Sequence, residues 1–258
     1  MPYLTIGYPD LDSALELVPA VVDAGADLIE LGVPFSDPLA DGATIQTSSQ
    51  RALENGMTLA GCLEQAAALR AQGVTVPFVL MGYYNPILQM GIGSFAQQAA
   101  AAGVDGAIVP DLPPEESGAL QGTLRSRGID LVFLLAPTAD KARVRYVAQR
   151  ASGFLYLVSL VGVTGARDRL PAELEAFVAR VRTATDLPLA VGFGISTPEQ
   201  AARVARIADG VIVGSALIRA VGGERPVEAG RRFVGALRKG MDQYSAQVVD
   251  LGHHVPTY

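Results

Sequence analysis

Along this chain, short runs of β-branched and apolar residues alternate with Ala-rich segments whose apolar positions recur every three to four residues. The runs predict strands at 3–6, 27–31, 77–81, 106–109, 130–135, 154–159, 187–191 and 210–213. Between them, segments such as LDSALELVPAVVDAGA, FAQQAAAAGV, PPEESGALQGTLRSRG, ADKARVRYVAQRA, PAELEAFVARVRTAT and TPEQAARVARIA predict a helix after each strand. Strands that are apolar at nearly every position, joined by crossover helices, indicate a parallel sheet covered on its outer face. Eight such units in 258 residues indicate a closed (β/α)8 TIM barrel. A doubly wound open sheet is the alternative, although it normally uses fewer strands. The phrase A-G-[AV]-D, at 24–27 and 102–105, reads as a helix-to-strand turn with Gly as the helix stop. No linker-like tract interrupts the pattern, so residues 1–258 read as one barrel domain, with a C-terminal tail of unknown role after about residue 240.

Composition narrows the chemistry. With 20 basic and 26 acidic residues the net charge is −6, and no basic stripe offers nucleic acid a footprint. The longest apolar stretches, such as 154–163, fall short of the roughly 18 to 20 residues that span a bilayer, so no membrane segment is expected. The opening MPYLTIGYPD has no basic region and soon reaches Asp10, unlike a signal peptide; the expected location is cytoplasmic. Cys62 is the only cysteine, and His253 and His254 are the only histidines, close to the C-terminal end. An internal disulfide, a Cys- or His-ligated metal and a catalytic His are therefore not expected, and no metal is assigned. The two lysines, Lys141 and Lys239, fall in helix-like segments, away from strand ends, which argues against a Schiff base.

Barrels of this kind keep their chemistry in the loops that follow the strands. After the second predicted strand the chain reads DLIELGVPFSDPLADGATIQ. Glu30 sits among apolar neighbours near the strand end, where it either faces solvent or is a buried carboxylate with a task. Asp37 and Asp41 follow in a loop longer than a connection needs; both also suit ordinary turns. Two acids in different environments at one rim would form a general acid/base pair. Glycine-rich loops, VGVTGARD, GFGIST and GSALI, follow strands six, seven and eight. They let backbone amides approach an anion, and together they favour a phosphorylated substrate. No GxxxxGK[ST] or GxGxxG signature supports a nucleotide.

In order and spacing, ELGVPFSDPLADGATIQ, MGYYNPI, VPDLPPEE, LVSLVGVTGAR, VGFGIS and GVIVGSAL resemble the tryptophan synthase α subunit family, from Tyr3 to about Ala220. The resemblance implies a (β/α)8 barrel, a lyase of the carbon–oxygen class by convention, that performs a retro-aldol cleavage of indole-3-glycerol phosphate to indole and glyceraldehyde 3-phosphate. It also implies an αββα complex in which indole passes to a PLP-dependent β subunit, with the PLP in that partner and no cofactor in this chain. By the same resemblance, Glu30 matches the catalytic acid/base and Asp41 the second catalytic carboxylate. Tyr156 matches a tyrosine beside the glycerol part of the substrate, and Tyr3, Met81 and Tyr83 match positions around the indole. Thr164 matches the threonine of a loop that closes over the site, and Gly165, Phe193, Gly194, Gly214 and Ser215 match the phosphate-binding set. Asp37, Pro38, Asp111 and Pro113 match the face that meets the β subunit.

The residue chemistry is compatible with this. Retro-aldol cleavage usually relies on a Schiff-base lysine or a metal to hold developing negative charge. An indole supplies its own electron sink once protonated at C3, so positioned carboxylates suffice. The aromatics Phe35, Tyr83, Tyr84 and Phe193 could equally fill the barrel, and Arg167 could clamp phosphate or stand in solvent. Family chains usually carry a helical segment ahead of the first strand, whereas this sequence opens almost directly on PYLTIGYPD; apolar residues left exposed at the barrel floor would lower stability or solubility. Three readings remain open: an α subunit activated by its partner, a stand-alone indole-glycerol-phosphate lyase, and a noncatalytic binding module.

Overall fold

A parallel strand buries both its faces when helices cover one and a closed ring of strands encloses the other. This chain does both. The computed structural model describes residues 1–158, 172–192 and 194–250, without the side chains of 172 and 244–250. Eight parallel strands follow in chain order: β1 (Tyr3–Thr5), β2 (Ile29–Gly32), β3 (Phe78–Met81), β4 (Gly106–Ile108), β5 (Asp130–Leu135), β6 (Leu155–Val158), β7 (Leu189–Gly192) and β8 (Gly210–Ile212). A parallel bridge between Pro2 and Val213 closes the ring: Tyr3 N–H donates to the Val213 carbonyl at 2.9 Å, and Val213 N–H to the Met1 carbonyl at 3.0 Å. The contact of β8 with the start of β1 gives the expected (β/α)8 barrel and rules out the open sheet.

The expectation of one helix per strand needs correction. α1 (Ala14–Asp23) follows β1, but α2 (Ala43–Glu54) and α3 (Leu59–Ala71) follow β2, and α4 (Tyr84–Met90) and α5 (Ile92–Ala101) follow β3. Single helices α6 (Gly118–Arg125), α7 (Lys141–Ala148), α8 (Ala172–Arg182) and α9 (Pro198–Val204) follow the next four strands, and α10 (Ser215–Val221) and α11 (Pro226–Asp250) end the described chain. Local breaks account for the pairs. Gly91, at φ +86°, closes α4 and opens α5, and Thr58 starts α3 afresh by accepting from the Gly61 N–H. Beyond residue 240, α11 continues to Asp250, and the helix packs on α1 and α9. His253 and His254 lie outside the described residues, as does Ser159 of the sixth predicted strand.

Alternation along each strand separates two cores. Outward residues such as Leu31, Phe78, Leu80, Leu155 and Val191 pack beneath the helices, with Phe95 and Phe177. Inward residues Val79, Ile108, Val132, Phe154, Tyr156, Ala190 and Ile212 fill the barrel. The register pairs Tyr3 with Glu30 and Glu30 with Val79, so Glu30 is an inward residue.

The A-G-[AV]-D turns behave as expected. Gly25 and Gly103 adopt φ +104° and +73°, conformations that side chains rarely tolerate. Arg238 donates to Asp27 at 3.0 Å and Arg70 to Asp105 at 2.7 Å, each also reaching the preceding Gly carbonyl. Asp209 of IADG plays the same part, pairing with Arg182 and accepting from the Leu189 N–H at 2.8 Å. At this end of the strands a cavity of about 370 Å³ is lined by Met1, Leu28, Val79, Val132 and Phe154. Among the described residues no helix is long and apolar enough to cross a membrane.

Candidate active site

The opposite end of the barrel holds a cavity of about 290 Å³ into which the loops after β2, β7 and β8 converge. Glu30 forms part of its wall. Its inward place on β2 leaves it 1% exposed, and neither carboxylate oxygen has a hydrogen-bond partner. A buried carboxylate without partners is expensive, so the group takes up a proton instead. Burial raises its pKa from the ordinary 4.5 to about 8, and Glu30 is therefore a neutral acid at pH 7. An unsatisfied, protonated carboxyl in a cavity wall suits proton transfer better than structural support.

Asp41 reaches the same cavity from the loop between β2 and α2. The loop is shaped by Asp41 N–H donating to the Pro38 carbonyl at 3.1 Å and by Gln46 Nε2 donating to the Asp41 carbonyl at 2.8 Å. Burial raises the Asp41 pKa, opposed by the Tyr83 hydroxyl, which donates to Oδ2 at 3.1 Å. Tyr83 is itself fixed: its oxygen accepts from the Ala40 N–H at 2.9 Å, and its ring stacks on Phe35 at 5.1 Å between centroids. The two acids thus differ, one without a partner and one held by a phenol, which is the asymmetry an acid/base pair needs.

Two tyrosines complete the apolar wall with Met81. The Tyr3 phenol lies over Gly32 and the Tyr156 phenol over Gly192, each so close that a Cβ there would overlap the hydroxyl. The far end is glycine-lined. Gly194 adopts φ +74°, and Gly214 precedes α10, where Ile218 N–H makes the helical bond back to the Gly214 carbonyl and the amides ahead of it have no intrahelical partner. Ser215 and Arg219 line this end too, with Arg219 donating to Thr44 Oγ1 at 3.4 Å. An anion would meet backbone donors and a guanidinium there.

One cavity therefore gathers Tyr3, Glu30, Asp41, Met81, Tyr156, Gly194, Gly214 and Ser215. Tyr83 does not line it and acts on it through Asp41. Thr164, Gly165, Phe193 and Arg167 lie outside the described residues. Asp37, Pro38, Asp111 and Pro113 sit on loops at the same end of the strands. Asp37 accepts from Ser36 Oγ at 2.6 Å, and the Asp111 carboxylate accepts from the Tyr84 N–H at 3.0 Å. Beside Pro38, Leu39 is 94% exposed, an apolar side chain the sequence reading passed over. Arg219 and Ser196 also went unread; the spacing of Arg219 from Ser215, one helical turn, was the signal that could have found it. Lys141 and Lys239 are both exposed on helices. Of the acids at the edge of the floor cavity, Asp105 and Asp209 are paired with arginines and Asp130 is only half-buried, unlike Glu30.

The family model described as "Tryptophan synthase alpha chain" matches residues 1–245. A tryptophan synthase alpha chain of Chloroflexus aggregans is 57% identical over 218 residues, covering 84% of this chain and 82% of its own. The crystal structure of tryptophan synthase subunit alpha from Legionella pneumophila superposes with a TM-score of 0.87 at 40% identity, covering 94% of this chain and 92% of that one. A chain of the tryptophan synthase complex from Pyrococcus furiosus superposes at 0.84 and 39% identity, covering 92% and 96%.

Proposed function

The chain belongs to the tryptophan synthase alpha chain family, and from that premise we propose that it cleaves indole-3-glycerol phosphate to indole and glyceraldehyde 3-phosphate, as a cytoplasmic enzyme of tryptophan biosynthesis. Indole passes to a β subunit in an αββα assembly. The pyridoxal phosphate belongs to that subunit and takes no part in this step. The enzyme is a lyase, and the finer assignment is to the carbon–oxygen class. The observation that carries the reading is Glu30, buried and unpartnered in the wall of a cavity whose other end is lined by Gly194, Gly214 and Ser215.

The residues divide the work by environment. Glu30, neutral at pH 7, donates its proton to indole C3 and leaves an indolenine cation. The Asp41 carboxylate, held by Tyr83, accepts the indole N–H and stabilises that positive charge. The Glu30 carboxylate then takes the proton of the hydroxyl on the carbon attached to the ring. As it does so, the O–H electrons become the aldehyde C=O, and the broken C–C bond returns its pair to the indole. One proton leaves the hydroxyl and one arrives at C3, so Glu30 ends as it began. Tyr3, Met81 and Tyr156 enclose the ring and glycerol. Gly194, Gly214, Ser215 and Arg219 take the phosphate, and by family resemblance Gly165 and Phe193 are assigned to phosphate binding and Thr164 to substrate binding. Asp37, Pro38, Asp111 and Pro113, with exposed Leu39 next to Pro38 in the chain, supply the β-facing surface.

The test is indole release from indole-3-glycerol phosphate by the purified chain, with and without a β subunit. Release that rises with the partner is expected. No indole in either arm would refute the assignment, and an equal rapid rate in both would make the chain a stand-alone lyase.

A further inference from the structure

Three hydroxyls run in a line from the interior to the cavity. Ser48 on α2 and Thr5 on β1, 0% and 1% exposed, approach at 2.7 Å. Ser48 Oγ is also 2.9 Å from the Ile45 carbonyl, and Thr5 Oγ1 is 3.4 Å from the Tyr3 hydroxyl. Tyr3 lies in the cavity wall with Glu30 and Asp41, its phenol pinned over Gly32. The links join residues 43 positions apart and tie the helix behind the Asp41 loop to the strand beside Glu30.

Each hydroxyl carries one hydrogen, and the Thr5 hydroxyl donates to the Tyr3 oxygen. Ser48 then donates to Thr5, and the phenol hydrogen is left for the cavity. The Ile45 carbonyl loses little by this, because it also accepts within α2. Buried hydroxyl chains of this kind polarise one another and are costly to leave half satisfied.

We propose that Thr5 and Ser48 are positioning residues that hold the Tyr3 phenol as a hydrogen-bond donor for bound substrate. The inference rests on the proposed cleavage reaction. With the Thr5 hydroxyl donating to its oxygen, the phenol keeps its own hydrogen for the cavity.

A double-mutant cycle on the full chain with its β subunit tests this, with kcat and KM for indole release as readouts and urea unfolding as the control for folding. Tyr3→Phe and Ser48→Ala are each expected to lower kcat about tenfold, the loss expected for one hydrogen bond strengthened by charge, with little change in KM. Ser48→Ala added to Tyr3→Phe is expected to cost nothing further, because its effect passes through the phenol. Thr5→Ser, which keeps the hydroxyl, retains activity, whereas Thr5→Val loses it to the same extent as Ser48→Ala. A Ser48→Ala loss that persists undiminished in the Tyr3→Phe background, or a Ser48→Ala chain with normal kcat, overturns the proposal while the cleavage reading stands. A wild-type chain that yields no indole overturns both.

Discussion

Replacing Glu30 by Gln removes a titrating group that the fold holds neutral, and the consequence can be worked out before any substrate is added. Burial carries the carboxyl from 4.5 to about 8. Below about pH 4.5 it is protonated whether the chain is folded or not, and it costs no ionisation energy. Between the two values the unfolded chain releases the proton and the folded chain keeps it, so stability falls as pH rises and levels off above about 8. At about 1.4 kcal/mol per pH unit, the full interval amounts to about 5 kcal/mol, and the part lost between about pH 5.5 and 8.5 to about 3 kcal/mol. Glu30→Gln does not pay this. Urea unfolding of both chains across that range should show the variant gaining on the wild type by about 3 kcal/mol as pH rises. Any constant effect of the amide, and every other titrating group, cancels in the difference. Curves that stay parallel across the range would refute the claim that residue 30 is a buried neutral acid.

Because the protonated form of Glu30 starts the reaction, indole formation should fall as pH rises through about 8; a rate still climbing at about pH 9.5 would contradict this. Tyr83→Phe removes the hydrogen bond that favours the Asp41 carboxylate, and kcat should fall about tenfold with the fold intact, as checked by steady-state kinetics and circular dichroism. Gly32→Ala places a Cβ against the Tyr3 hydroxyl. It should lower stability by about 1 to 3 kcal/mol in urea unfolding and impair turnover, and unchanged stability would mean the phenol can leave its seat.

Hydrophobic patterning made the eight strands legible, because parallel strands buried on both faces read as apolar runs and the barrel repeats that signal eight times. The A-G-[AV]-D turns were equally legible, since a positive-φ Gly and an Asp two residues on are local requirements. The doubled helices were not. Only FAQQAAAAGV reads as a helix after β3, whereas α4 precedes it and is set apart from α5 by Gly91, and α11 runs on past residue 240 to Asp250. Glu30 could be placed on β2, but whether it faced inward depended on strand register, which long-range pairing with Tyr3 and Val79 decides. The bracing of Asp41 by Tyr83 and the Thr5–Ser48 contact each join residues more than 40 positions apart. No sequence window contains both partners.

The central claim is that one buried carboxyl moves both protons of the cleavage. Its most direct test is the rate of indole release by Glu30→Gln in the presence of the β subunit, with binding of indole-3-glycerol phosphate measured by calorimetry on the same preparation. A fall of at least about 10³-fold in kcat with binding within a few fold of wild type is the predicted result. Turnover within tenfold of wild type, by a variant that binds substrate normally, would contradict it.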